Sequence, residues 1–549
     1  MPTAGSIDPV WSETLQIMQH IDTGLTVSDL LDARVREHGD RVFCRWKHEE
    51  ITYAQLSERV DRLANGLLSS GIVAGSRVGV MLSHHPDHIL VLLGLLRIGA
   101  IAVPINTHLR GDGLRYQLAH CEPQAIIADA EYADQLLPAF DAVSASVTLI
   151  WRGALPASSP LGVRFIAFDA VANGPAGRPQ RRGKSSDIVA ICYTSGTTGA
   201  PKGVLITDAM YHAAAISSLN ISGIREGDRP LFWEPMYHLF GIEVVILALC
   251  TPVTLAMVDR FSASNFWQWA RESRATHIHY VGGVLQLLLR QPPKPDDRGH
   301  EVRVAWGGGC PTQTWRPFEE RFGVEMRDSF GMTETAALNI ANTQGIPGAL
   351  GVPLPYFEAR VIDETGQAVA TGEVGQLLIR GKQPDIVTPG YFRNPEATAA
   401  AIRDGWLHTG DLVRQDEDGV FWFFARQKDS IRRRGENVSA WEVERVINQH
   451  PQVEESAVTM VINEFGDEEL KVFIKPVSGI FAVEAFHDWC RAHMAKFQVP
   501  RFVAFIDEFP RTPTQRIRKH ELSKSLEDCW DAEKWPASPK AKRRKRHHA

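Results

Sequence analysis

The sequence predicts an α/β protein with a large layered N-terminal domain and a smaller α+β C-terminal domain. Three observations carry this. Apolar runs and amphipathic stretches alternate from Ile51 to Ala128, the same alternation returns between Ser217 and Val304, and after about Gly345 the chain changes to short alternating runs broken by Pro and Gly. Strand and helix in repetition imply parallel sheet with crossover helices, and the later pattern implies a small β-rich subdomain.

The elements follow in order. Tyr53, Leu56, Val60, Leu63, Leu67 and Leu68 recur at three- and four-residue spacing, the apolar stripe of a helix. Gly75 turns the chain into a strand over 77–82, and a helix runs on to about Arg97. A strand over 100–103 closed by Pro104, a helix near 111–119 and a strand over 125–128 complete the first run. The second run reads as helix 266–274, strand 276–281, helix 285–290 and strand 301–305. Residues 358–362 and 375–379 read as β-rich strands. From Asp429 the pattern is helix 441–449, strands 453–461 and 470–475, helix 483–496 and strand 501–506.

Composition excludes several classes. The 549 residues are 44% apolar and 23% charged, an ordinary globular balance. Lys540, Lys542, Arg543, Arg544, Lys545 and Arg546 lie in a tail expected to be disordered, and without them the net charge of −6 becomes −12. An acidic body argues against a nucleic-acid-binding face. The seven cysteines show no metal-binding spacing, which suits a reduced, cytoplasmic protein. The apolar stretch 89–103 contains Arg97 and is shorter than a bilayer span, so no membrane segment is expected.

The most specific segment is Tyr-Thr-Ser-Gly-Thr-Thr-Gly-Ala-Pro-Lys-Gly at 193–203, behind the apolar strand 187–192. A Ser/Gly surface linker has a similar composition. A preceding buried-type strand and a terminal lysine point instead to a loop whose N–H groups and hydroxyls wrap phosphate oxygens: Thr194, Ser195, Gly196, Thr197, Thr198 and Lys202. It lacks the Gly-Lys-Ser/Thr of a Walker loop.

With that loop the chain resembles the adenylate-forming (ANL) superfamily of acyl-CoA synthetases, peptide-synthetase adenylation domains and beetle luciferases. Further motifs continue the resemblance in order from Ile51 to Leu522: Tyr-His-Leu-Phe-Gly at 237–241, Gly-Gly-Gly at 307–309 and Asp-Ser-Phe-Gly-Met-Thr-Glu-Thr at 328–335. Then come Gly-Trp-Leu-His-Thr-Gly-Asp-Leu at 405–412, Ala-Arg-Gln-Lys-Asp at 425–429 and Arg-Gly-Glu-Asn at 434–437. The runs 432–437 and 234–241 look most like the crotonobetaine/carnitine-CoA ligase branch.

The resemblance implies binding of ATP with Mg²⁺, of acyl-AMP or AMP, and of CoA. Phe330 would face the adenine, Gly308 and Gly309 would let a planar group lie against bare backbone, and Asp328 and Ser329 would line the nucleotide. Glu334 would hold Mg²⁺ with Thr333 beside it, and Asp411 would accept the ribose hydroxyls with Arg426 donating. His238 would flank the acyl carboxylate. The resemblance divides the chain into an N-terminal domain (1–427), a mobile lid (428–536) with its hinge at Lys428, and the tail 537–549. Gly435, Glu436 and Asn437 would line the pantetheine channel, with Arg432, Arg433 and Arg434 guiding CoA.

One departure matters. The family's adenylation lysine lies in a segment resembling Pro-Arg-Thr-x-Thr-Gly-Lys-x-x-Lys, and this chain reads Pro-Arg-Thr-Pro-Thr-Gln-Arg-Ile-Arg-Lys at 510–519. Arg516 therefore stands at the lysine position, and a forked planar cation does not replace a compact one at a tight site. Two readings follow: an enzyme that makes acyl-CoA from an acyl-adenylate supplied by a separate adenylating enzyme, or a complete ligase in which Arg516 or Lys519 supplies the charge. A non-catalytic nucleotide-binding scaffold is the alternative of another class. The acyl pocket is expected at Trp233, Tyr237, Val281, Gly282, Gly283 and Gly307, with no charged residue marking it, for a bulky apolar acid.

Overall fold

The computed structural model describes residues 24–143, 147–154, 163–180, 183–194, 201–281, 283–336, 338–427, 430–433, 436–463, 468–477, 481–494, 498–511 and 517–534. Helix Tyr53–Ser69 starts at a capping box in which Thr52 and Gln55 satisfy each other's backbone N–H groups. Its buried face, Tyr53, Leu56, Val60, Leu63 and Leu67, packs on helix Pro86–Ile98. That second helix is buried nearly all round, as expected of a crossover covered on both sides.

Two large sheets result. One has seven strands in the order Arg164–Ala167, Thr148–Arg152, Ala125–Asp129, Arg77–Met81, Ile101–Pro104, Ile188–Thr194, Lys202–Thr207. Every pair is parallel except the last, where Ile188–Thr194 and Lys202–Thr207 run antiparallel. The other has nine strands, with a parallel centre of Glu325–Gly331, Val304–Gly308, His277–Val281, Pro230–Phe232, Leu255–Met257 and Val42–Trp46. The β-rich strands expected after Gly345 are found at Phe357–Ile362 and Val374–Gly381, in a five-stranded sheet with Trp406–Gln415 and Phe421–Arg426.

The chain divides into two compact units. One comprises the chain up to Arg360 with Leu378–His408 and Asp418–Trp422; the other comprises Val361–Leu377, Thr409–Glu417 and the chain from Phe423 onward. The second contains a four-stranded sheet, Val453–Ile462, Glu468–Pro476, Phe502–Phe505 and Trp530–Asp531. Helices Ala440–Ile447 and Val483–His493 contribute Val443, Ile447, Phe486 and Cys490 to its core. Among the described residues no helix is long and apolar enough to cross a membrane.

One element differs from expectation. The strand expected at 301–305 lies at Val304–Gly308, because its partner His277–Val281 sets the register His277↔Val304 through Val281↔Gly308. Gly307 and Gly308 belong to the strand. A Cβ on Gly307 would stand 2.0 Å from the Tyr280 carbonyl oxygen, so its bare backbone is required by the neighbouring strand. Gly307→Ala is accordingly expected to destabilise the fold by about 1–3 kcal/mol. Urea denaturation checks this, and an unchanged midpoint would show that the strand pair relaxes around the methyl group.

Candidate active site

The expected phosphate loop is the connection of a hairpin. Ile188–Thr194 and Lys202–Thr207 pair Tyr193↔Gly203 and Thr194↔Lys202, and the Thr194 hydroxyl donates to the Lys202 carbonyl at 3.4 Å. Thr194 and Lys202 thus face each other at its base. Ser195, Gly196, Thr197 and Thr198 lie outside the described residues.

Glu334 sits in the short 3₁₀ turn Thr333–Thr335, which follows strand Glu325–Gly331. Its side chain is buried, and Oε1 accepts a hydrogen bond from the Tyr391 hydroxyl at 2.8 Å. The Lys202 ammonium lies 4.8 Å from the centroid of the Tyr391 ring. The structure therefore brings Lys202 and Glu334, 132 positions apart in the chain, to one tyrosine.

The other residues of the Asp328–Thr335 motif divide by environment. Asp328 is buried and takes hydrogen bonds from the Tyr280 hydroxyl at 3.0 Å and the Cys310 N–H at 3.2 Å. Burial pushes its carboxyl up to about 7. The Ser329 hydroxyl donates to the Gly307 carbonyl. Both side chains hold residues 307–310, where strand Val304–Gly308 ends and Gly309 adopts a left-handed φ of +83°. Phe330 and Thr333 are half-buried.

The expected acyl-pocket residues are likewise split. His238 directly precedes helix Leu239–Cys250, half-buried, with its ring centroid 4.6 Å from that of Tyr237. Val281 is half-buried and Gly283 exposed, while Gly282 lies outside the described residues. Trp233 is in the core, stacked on His279 at 5.1 Å, its indole N–H donating to the His279 carbonyl.

In the second unit, Asp411 and Arg426 come together. The Asp411 side chain is 2% exposed, and the Arg426 Nε stands 3.1 Å from its Oδ1. The Asp411 N–H donates to the Thr409 hydroxyl, which donates to the Leu377 carbonyl at 2.8 Å. Ser430–Arg433 and Glu436–Ser439 pair Arg432↔Asn437 and Arg433↔Glu436. Lys428, Arg434, Gly435 and Arg516 lie outside the described residues. Around the last of these, Arg511 bridges Ile517 and the Arg518 N–H donates to the Pro510 carbonyl at 2.7 Å.

Residues 31–392 match the AMP-binding enzyme family, and residues 442–516 match the AMP-binding enzyme C-terminal domain. The chain belongs to this family. It is 33% identical over 485 residues to a crotonobetaine/carnitine–CoA ligase of Citrobacter koseri, covering 86% of this chain and 93% of that protein. Its structure is similar to that of the anthranilate CoA ligase AuaEII in complex with anthranoyl-AMP, with 25% identity, TM-score 0.80, and coverage of 90% of this chain and 96% of that one. ATP-bound MatB from Rhodopseudomonas palustris is similar at 27% identity and TM-score 0.79, covering 90% and 98% of the two chains. Within the AMP-binding enzymes the protein is an acyl-CoA ligase.

Glu334 offers one carboxylate at this site. Among the described residues no group of three or more His, Cys, Asp or Glu side chains could hold a metal ion. A magnesium ion here would draw one carboxylate from Glu334 and its remaining ligands from phosphate and water, its usual arrangement beside a triphosphate.

Sequence reasoning missed three buried polar groups beside Trp233 and Phe232. Glu234 Oε2, His84 Nε2 and both ring nitrogens of His279 have no hydrogen-bond partner among the described residues. Burial pushes the Glu234 carboxyl up to about 8 and the His279 imidazole down to about 3. An acidic residue does therefore stand next to the expected acyl pocket. The available signal was a carboxylate between Trp233 and Pro235 in an apolar stretch.

Because the folded-state pKa of Glu234 is raised, the folded protein binds more protons than the unfolded chain between about pH 4.5 and 8. Its contribution to stability is full below that window and falls as pH rises through it. Glu234→Gln removes this loss, so the variant should gain stability relative to wild type as pH rises from 5 to 8. Denaturation midpoints of both proteins across that range check it, and a constant difference would show that Glu234 ionises freely.

Proposed function

We propose that this ligase joins a bulky apolar carboxylic acid to CoA through an acyl-adenylate, and that making the adenylate from ATP is its weak half-reaction. Attack of CoA on a supplied adenylate is then the main reaction, with a separate adenylating enzyme as the source. The observation that carries this reading is the segment 510–519, with Arg516 in the lysine position. Lys519, the neighbouring cation that could compensate, is engaged by Glu444, with Nζ 2.7 Å from Oε1.

In this reading Lys202 offsets the charge of the triphosphate, the hydroxyls of 194–198 donate hydrogen bonds to it, and Phe330 stacks on the adenine. Glu334 would hold Mg²⁺, which would supply charge neutralisation to the phosphates. Asp411, fixed by Arg426 on one oxygen, accepts from the ribose hydroxyls. His238 positions the acyl carboxyl group. In the thioester step the CoA sulfur, its proton lost to solvent, attacks the acyl carbonyl carbon. The carbon–oxygen bond to phosphate breaks and AMP leaves with the electron pair. Gly435 is assigned to the pantetheine channel and Arg432–Arg434 to the CoA phosphates.

A complete ATP-dependent ligase is the second reading, favoured by a match covering 93% of a curated CoA ligase. Two assays separate them: carboxylate-dependent ATP–pyrophosphate exchange, and thioester formation from synthetic acyl-AMP plus CoA. The expected outcome is rapid thioester formation with slow exchange, and Arg516→Lys should raise exchange by about 10²- to 10³-fold. Exchange at the rate of thioester formation in the unmodified protein would establish the complete ligase. No thioester from acyl-AMP would overturn both readings.

A further inference from the structure

The tyrosine between Lys202 and Glu334 comes from a segment with no period of its own, Thr-Pro-Gly-Tyr-Phe at 388–392. Its backbone is pinned on two sides. The Thr388 N–H donates to the Glu334 carbonyl at 2.8 Å, while the Thr388 hydroxyl donates to the Leu205 carbonyl at 2.7 Å. The Leu205 N–H donates to the Gly390 carbonyl at 3.0 Å, and the Phe392 N–H donates to the Gly203 carbonyl at 2.7 Å. Gly390 has a φ of +142°, and a Cβ there would meet Thr398 Cγ2 at 2.4 Å, so only glycine fits. The Tyr391 N–H donates to the Thr398 hydroxyl at 2.9 Å. The ring that follows is 8% exposed.

Pinned in this way, the Tyr391 hydroxyl fixes Glu334 Oε1 at 2.8 Å, and its ring face meets the Lys202 ammonium. A carboxylate on a short 3₁₀ turn keeps several side-chain conformations open unless a partner selects one. A cation over an aromatic face is held without loss of its charge. We propose that Tyr391 is the positioning residue that sets the Glu334 carboxylate and the Lys202 ammonium for a Mg²⁺–triphosphate. The proposal rests on the assignment of Glu334 and Lys202 to that nucleotide.

Tyr391→Phe removes the hydroxyl and keeps the ring. The readout is binding, so it does not depend on the rate of either half-reaction. Calorimetry would measure ATP affinity with Mg²⁺, ATP affinity with EDTA and AMP affinity with EDTA, and electron paramagnetic resonance would follow Mn²⁺ binding in the ATP complex. The expected result is a roughly tenfold loss of ATP affinity with Mg²⁺, a matching loss of Mn²⁺ affinity, and metal-free affinities within about twofold of wild type. Equal losses with and without metal would reduce Tyr391 to a packing residue and overturn the proposal, as would unchanged affinities throughout. If the wild-type protein gains no ATP affinity from Mg²⁺, the assignment of Glu334 fails, and the proposal fails with it.

Discussion

The open edge of the seven-stranded sheet is the constraint on which the nucleotide region depends. Lys202–Thr207 is the last strand in that order, and an edge strand presents a row of unpaired N–H and C=O groups. Here the segment 388–392 covers them, through Leu205 to Gly390, Phe392 to Gly203 and the bridge between Val204 and Tyr391. Covering the edge is a problem of backbone satisfaction. Its solution also delivers a tyrosine beside the lysine at the loop's exit, and Thr388 ties the same segment to the Glu334 turn. Protecting the sheet and building the site are one set of hydrogen bonds.

That explains what could be read from the sequence and what could not. The alternation of elements was legible because period 3.6 and short apolar runs are local signals. The loop 193–203 and Glu334 could be singled out because their residue types cluster within a few positions. The partner of Glu334 was not: Tyr391 lies 57 positions away, in a stretch where Pro and Gly only mark a turn. The antiparallel turn of the last strand pair was hidden as well, since nothing in two apolar runs states their relative direction.

Glycine was the most ambiguous signal. Gly307, Gly308 and Gly309 read as bare backbone for a ligand, and the structure gives each a different reason. Gly307 meets the Tyr280 carbonyl, a Cβ on Gly308 would lie 3.0 Å from the Ser329 carbonyl, and Gly309 takes a left-handed conformation. Asp328 and Ser329 then bind this same strand end from the next strand. A nucleotide motif is thus two sets of residues in one string. One set shapes the strand end and points inward; the other, with Phe330, Thr333 and Glu334, carries the groups expected to meet the nucleotide.

The same separation bears on the charge at 510–519. Arg511 pairs with Glu455, Arg518 with Glu521 and Lys519 with Glu444, so every described cation of that stretch is already held by a carboxylate. The Glu444 side chain is only 13% exposed. Withdrawing Lys519 to serve the reaction would take the paired cation from a mostly buried carboxylate that also accepts from the Val458 N–H, which disfavours the exchange. Under the proposed reading, the task of bridging an incoming carboxylate and the α-phosphate is assigned to Arg516. A guanidinium spreads its charge over a plane and donates as a fork, so it is not a like-for-like replacement for a compact ammonium at a tight site.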